Sequence, residues 1–271
     1  MAGTVVTITS GKGGVGKTTT TANLGVALAR RSKRVACIDA DIGLRNLDVV
    51  LGLENRIVYD IVDVVEGRAR LRQALIRDKR LPELQMIPAA QTRDKTAVNP
   101  QQMMKLADDL RNDFDFILID SPAGIEHGFK NAIAPADRVL IVTTPEVSAV
   151  RDADRIIGLV EAAEKPKPQL ILNRLRPGMV KRGDMLATED VLEILAIDLI
   201  GIVPEDESII TSTNRGNPVA LEEKTAAGAA YGRIAQRLMG EDVPFGVFAE
   251  NTSLFGRLSR WFRSPNGGNG A

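Results

Sequence analysis

Several residue types that mark secreted, cluster-bearing or membrane-spanning chains are nearly missing from this sequence. There is one cysteine, Cys37, one histidine, His127, and one tryptophan, Trp261, and aromatic residues make up 4% of the 271 positions. A single thiol excludes an intramolecular disulfide framework, and an iron–sulfur cluster would need several thiolates. No run of about 18 apolar residues occurs, so no membrane-spanning helix is predicted. Charge of one sign is also lacking in net terms. The 35 basic and 35 acidic residues cancel, which argues against bulk nucleic-acid binding through a global positive field. The first strand-like run begins at Thr4, so no signal or transit peptide is expected, and the chain reads as cytosolic or stromal. What is present is foldable: 44% hydrophobic and 26% charged residues can bury a sizeable core. The length suits one large α/β domain or two small ones.

The most informative stretch is 10–21, SGKGGVGKTTTT, placed between an apolar β-branched run at 4–9 (TVVTIT) and a helical pattern at 22–31. Gly11, Gly16, Lys17 and Thr18 satisfy the phosphate-loop spacing G-x-x-x-x-G-K-[ST]. With Gly13 and Gly14, these glycines let backbone N–H groups, including that of Val15, turn inward around phosphate oxygens. The helix beginning near Lys17 and Thr19 points its positive dipole end at the same anion. Lys17 would bridge the terminal phosphates and the Thr18 hydroxyl would bind Mg²⁺. The alternative is a plain glycine-rich turn, which the strand before and the helix after argue against.

Beyond the loop, short apolar runs at 34–39, 84–88, 114–120, 138–143, 169–172 and 199–203 read as buried strands. Helical patterns lie at 100–111, where Pro100 supplies the start, and at 147–163, 187–195 and 223–238. Strands interleaved with helices imply a largely parallel sheet covered on both faces, with ligands at the C-terminal strand ends. Two strands end there on acids, Asp39 and Asp120, and Asp41 follows two residues later. A carboxylate so placed can hold a metal-bound water or align an attacking one. The alternative for each is a turn or capping aspartate, which such positions often contain. His127 reads as a solvated loop residue without a catalytic role.

Lys12 gives the loop a second lysine, K-G-G-x-G-K-T. This resembles the deviant Walker A loop of the MinD/ParA/nitrogenase iron protein family of ATPases. Further stretches resemble the MinD branch: IDADIGLRNLD (38–48), DSPAGIE (120–126), TTPEVSAVRDADRI (143–156), RGDMLATEDVLEIL (182–195) and GIVPEDESI (201–209). The likeness runs from about Thr4 to Met239. It implies a P-loop NTPase fold and a Mg²⁺-dependent ATPase activated by dimerisation when ATP is bound. By the same resemblance, Lys12 reaches the partner's phosphates, Asp41 orients the attacking water, and Thr18, Asp39 and Asp120 hold Mg²⁺ or its hydration shell. Asn173 and Arg174 would contact adenine and Pro204 would flank it, although an N-cap role for Asn173 is also open. The implied partners are a MinC-like division inhibitor, a MinE-like activator and an anionic membrane surface. No specific nucleic acid is expected.

The C-terminus carries a second signal. A Gly/acid/Pro-containing linker (241–252) precedes SLFGRLSRWFR (253–263), and a polar tail (264–271) follows. At 100° per residue, Leu254, Phe255, Leu258, Trp261 and Phe262 share one helical stripe, with Arg257, Arg260 and Arg263 on the other side. Bulky apolar residues opposite arginines form the pattern of an interfacial membrane helix. A terminal helix packed on the domain is the alternative. About 11 residues are marginal as an isolated helix in water, and two copies in a dimer would bind a membrane far better than one. The expected organisation is an ATPase domain over 1–240, then linker, membrane-targeting helix and tail. The expected location is the cytoplasm, peripheral on the inner face of the cell membrane.

Overall fold

The β-branched runs form one sheet. In the computed structural model, which describes residues 2–94 and 96–246, the strands are β1 (Thr4–Thr9), β2 (Val35–Asp39), β3 (Ile76–Arg77), β4 (Leu84–Ile87), β5 (Phe116–Asp120), β6 (Arg138–Thr143), β7 (Gln169–Leu175) and β8 (Asp198–Pro204). Their spatial order is β3-β4-β2-β5-β1-β6-β7-β8. All pairings are parallel except β3 with β4. The helices are α1 (Lys17–Ala29), α2 (Leu47–Leu51), α3 (Ile61–Val65), α4 (Leu71–Ala74), α5 (Pro100–Leu110), α6 (His127–Ile133), α7 (Val147–Ala162), α8 (Pro177–Arg182), α9 (Thr188–Leu195), α10 (Ser208–Thr213) and α11 (Ala226–Leu238). Among the described residues no helix is long and apolar enough to cross a membrane. The predicted amphipathic segment 253–263, the tail 264–271 and linker residues 247–252 lie outside the described residues.

Both faces of the sheet are buried, and the period-2 alternation decides which side chain goes where. Val6, Ile8, Leu118, Leu140 and Val142 pack with Leu24, Leu28, Tyr231 and Ile234 of α1 and α11. Their neighbours Val5, Ile117 and Ile119 meet Met103, Leu106 and Leu110 of α5 on the opposite face. Val139 and Ile141 meet Val150, Ile156 and Val160 of α7 there. Gly25 on α1 lets that helix close on the sheet, since a Cβ there would press on Cys37 Sγ at 2.7 Å.

Most predicted boundaries move by a residue or two, and three departures from the expectation have a specific place in the fold. The last long helix starts at Ala226, because Thr225 caps it by accepting a hydrogen bond from Gly228 N (3.0 Å). Glu223 instead lies ahead of the helix and pairs with Arg30 and Arg31 (3.3 and 2.7 Å). Strand β7 continues past Leu172 to Leu175, with Arg174 at φ 57 where its register with β8 shifts. His127 is the first residue of α6, not part of a loop.

Two side-chain anchors shape the periphery. Arg80 binds the buried Asp78 through Nε (3.0 Å) and Nη2 (2.6 Å), and also donates to Leu51 O, Gly216 O and Asn217 Oδ1 at 2.6, 2.7 and 2.5 Å. It thereby ties the end of α2 to the loop after α10, where Gly52 and Gly216 approach so closely that neither tolerates a Cβ. At the C-terminal end, Arg237 of α11 donates to Ile200 O on edge strand β8 (3.0 Å) and to Val243 O (2.9 Å). Its guanidinium lies 4.0 Å from the centroid of the Phe245 ring, so residues 241–246 are strapped back along the helix.

Candidate nucleotide-binding site

The ends of β1, β2 and β5 converge on one edge of the sheet, and the glycine-rich loop leaves β1 there to start α1. Gly16 is the N-cap at φ 101, in the left-handed region that favours glycine, and no side chain caps the helix. The first-turn N–H groups of α1 are therefore oriented for an anion at the loop. Gly11 backs onto α7, where a Cβ would overlap the Asp152 carbonyl. Ser10 Oγ braces the loop from inside by donating to Lys12 O (2.8 Å).

The two lysines occupy different environments. Lys17 is buried, and burial lowers its pKa against the opposing pull of the Asp120 and Asp41 carboxylates. Lys12 is exposed and its Nζ donates to Ser148 Oγ (3.2 Å) near the start of α7, away from those acids. Thus Lys17 faces the acidic side of the loop while Lys12 lies across its outer surface.

The acids form a layered set. Asp39 and Asp120 are register partners on β2 and β5, and both are buried. Burial raises the pKa of each above the ordinary carboxylate range, and the Asp120 charge raises Asp39 further. Hydrogen bonds from Thr18, and the Lys17 charge, pull Asp120 back. Thr21 Oγ1 also lies within hydrogen-bond reach of Asp120 Oδ1 (3.1 Å). Asp39 accepts from Asp41 N (3.0 Å) through Oδ1 and from Asn46 N and Leu47 N (3.2 Å each) through Oδ2. It therefore shapes the 41–47 loop as well as facing Asp120. Further along, Asp48 is buried against Arg45 (3.0 Å), whose φ of 47 lies in the left-handed region.

A hydroxyl, two buried carboxylates and a loop made for phosphate are a hard-oxygen donor set. Among the described residues there is no cluster of three or more His, Cys, Asp or Glu able to cage a metal. A hydroxyl beside one or two carboxylates is the kind of set Mg²⁺ takes, together with substrate phosphates and its own waters. The fit also has an electrostatic basis, because paired buried carboxylates need a nearby positive charge.

Base-side residues are distributed less simply. Asn173 lies inside β7, which removes the N-cap reading. Its Nδ2 donates to Val15 O in the phosphate loop (2.8 Å), and its Oδ1 accepts from Arg174 N (2.9 Å). Arg174 is exposed, and it lines an open groove of about 620 Å³ with Arg176, Glu146, Met179, Met185 and Glu205. Pro204 closes β8 immediately before Glu205. Thr21 and Ser10 were not foreseen from the sequence. Thr21 was detectable, since it stands three residues after Thr18 on the same face of α1. Ser121, whose Oγ donates to Thr9 Oγ1 (2.9 Å), had no such local signal.

Comparison with known proteins agrees with this geometry. Residues 6–219 match the model of the CobQ/CobB/MinD/ParA nucleotide binding domain. A septum site-determining protein MinD from Synechocystis sp. is 57% identical over 258 residues, spanning 94% of this chain and 97% of that one. The MinC:MinD cell division protein complex of Aquifex aeolicus contains a chain of TM-score 0.85 and 51% identity, covering 91% of this chain and all of that one. MinD of Pyrococcus horikoshii, solved in complex with Mg-ADP, has a TM-score of 0.78 at 29% identity and covers 87% of this chain and 95% of that one. The family match over residues 6–219, with relatives more than half identical over nearly the whole chain, leads to one assignment: the chain belongs to the CobQ/CobB/MinD/ParA nucleotide-binding family, on its septum site-determining MinD branch.

Proposed function

We propose that the chain is an ATP-driven membrane switch that positions the division septum. The observation that carries this reading is the divided environment of the two loop lysines. Lys17, buried beside Asp120 and Asp41, is suited to the phosphates of its own nucleotide. Lys12, exposed and hydrogen-bonded to Ser148, would be available to reach the phosphates of a second copy across a nucleotide-bridged homodimer. Thr18, Asp120 and Asp39 would hold Mg²⁺ and its waters. When bound, the metal would supply neutralisation of phosphate charge. Asp41 would align the attacking water, while Arg174 and Pro204 flank the base.

In the cycle proposed, ATP binding brings two chains together and presents two C-terminal segments to anionic lipid. Two weak anchors on one body bind far more tightly than one, so dimerisation controls attachment. Hydrolysis separates the chains and releases them. While bound, the dimer recruits a MinC-like division inhibitor, and a MinE-like activator ends the bound state. This locates the protein in the cytoplasm, peripheral on the inner face of the cell membrane.

Co-sedimentation with anionic vesicles, with Mg-ATP and with Mg-ADP, tests the coupling. The expected result is ATP-dependent binding that disappears when the chain is truncated before Ser253. Binding indifferent to nucleotide would break the coupling. No vesicle binding, with salt-sensitive DNA binding in its place, would move the protein to a partition-type role.

A further inference from the structure

We propose that Gly128 is a positioning residue for hydrolysis, acting through Pro122. Because it carries no side chain, the loop that follows Asp120 can lie against α6, and that contact sets where the loop stands beside Asp41. The inference rests on the ATPase reading above and adds a residue to it.

Gly128 is the second residue of α6, where helix propensity would favour alanine. A close approach explains the glycine. A Cβ there would stand 2.4 Å from Pro122 Cγ, about 1 Å inside the 3.4 Å at which ordinary contact begins. A proline ring is closed on its own backbone and cannot swing aside as an open side chain does. Either α6 or the loop backbone would have to give way. The helix is pinned from several sides. Asn131 Nδ2 donates to Val98 O (2.6 Å), Thr7 Oγ1 donates to Ala132 O (2.7 Å), and Phe129 and Ile133 are buried. The loop is therefore the part that yields.

At its root the loop is firmly held, since Ser121 N donates to Ile8 O (3.1 Å) and Ser121 Oγ to Thr9 Oγ1 (2.9 Å). Beyond Pro122 the hold is looser, with Gly124 N reaching Ser10 O only at 3.5 Å. Pro122 and Gly128 also wall a narrow cavity of about 20 Å³, room for a single water, whose other walls include Asp41 and Ile42. This cavity is the free space beside Pro122, so a displaced ring is expected to move into it, toward Asp41. Shifts of about 1 Å in a reacting constellation cost up to about a hundredfold in rate. The contact involves neither Lys17 nor the first turn of α1, so nucleotide affinity should hold.

Phosphate release and calorimetric binding of Mg-ATP by the full chain test this, with melting curves to report folding. Gly128→Ala is expected to bind Mg-ATP within about threefold of the unmodified protein and to turn over at least about tenfold more slowly. Pro122→Ala removes the ring atom but keeps a Cβ, which would lie 3.5 Å from a methyl at position 128, in ordinary contact. Alone it is expected to keep more than about a third of the unmodified rate, and the double variant should turn over within about threefold of Pro122→Ala. Such a rescue separates the steric pair from a general loss of stability. A folded Gly128→Ala with normal turnover would overturn the proposal, as would one whose affinity falls in step with its rate. So would a double variant as slow as Gly128→Ala, or a Pro122→Ala slower than Gly128→Ala, because the ring itself would then matter and not its seat. A Gly128→Ala chain that fails to fold would make the contact structural and end the assignment. If the unmodified protein released no phosphate, the ATPase reading itself would fail, a result distinct from all of these.

Discussion

Replacing Arg80 by alanine should cost this fold more stability than its surface position suggests. Its guanidinium fork meets the buried Asp78 carboxylate and two backbone carbonyls, those of Leu51 and Gly216. Asp78 is 1% exposed, so removing its partner strands a charge away from water. Breaking a buried pair from one side costs about 3–5 kcal/mol. The Arg80 side chain is itself 33% exposed, so water entering the gap should moderate that loss. The two carbonyls, on the buried residues Leu51 and Gly216, add losses of the same sign, about 1 kcal/mol each, when left unpaired. A net loss of about 3 kcal/mol lowers the melting temperature by roughly 6–12 °C for a domain of this size. Arg80→Lys keeps the charge but not the planar fork, and should lose about half as much. The assay is calorimetric melting of the unmodified protein and both variants, with Asp78→Asn added to complete a double-mutant cycle. A loss below about 1 kcal/mol for Arg80→Ala, or lysine as good as arginine, would refute the reasoning.

Lys17→Ala should weaken Mg-ATP by about tenfold to a hundredfold in equilibrium binding, through loss of a charge-assisted contact to phosphate. Asp41→Ala should retain ATP and accumulate dimer in sedimentation while turnover falls about a hundredfold or more, and an unchanged rate would end its assignment. Gly201→Ala should cost about 1–3 kcal/mol, because the new methyl would overlap Ile234 on α11, and an unchanged melting temperature would show that Ile234 simply turns aside. Burial, and secondarily the Asp120 charge, pushes the Cys37 thiol well above its usual range, so a thiol reagent at neutral pH should modify it only as the protein unfolds. Rapid labelling of the native protein would contradict that burial.

The sheet was legible because its strands are fully buried and therefore appear as short continuous apolar runs. The antiparallel β3 was not, since two residues, Ile76 and Arg77, carry no periodicity. The short helices α2, α3 and α4 escaped for the same reason, as four or five residues hold barely one turn. The phosphate loop, Asp39, Asp41 and Asp120 were legible from spacing and strand ends. The engagement of Asn173 with Val15 and of Arg80 with Leu51 and Gly216 was not, because each bond joins segments distant in sequence. In the chain Arg80 is only one charge in the polar run DKR. Its role depends on Asp78 being buried, which is a property of the assembled fold.

The strap held by Arg237 moves the point at which the chain leaves the folded body from Gly240 to Gly246. If the chain were released at Gly240, thirteen steps would separate it from Ser253 (253 − 240), a reach of at most roughly 47 Å. Because Val243 and Phe245 are tied to Arg237, release comes at Gly246 and only seven steps remain (253 − 246), at most roughly 25 Å. On the proposed membrane reading, a surface that takes up Ser253 comes within that shorter distance of α11 and the β8 edge. One arginine thus cuts that reach by nearly half, and it fixes α11 and the β8 edge as the place from which the chain departs.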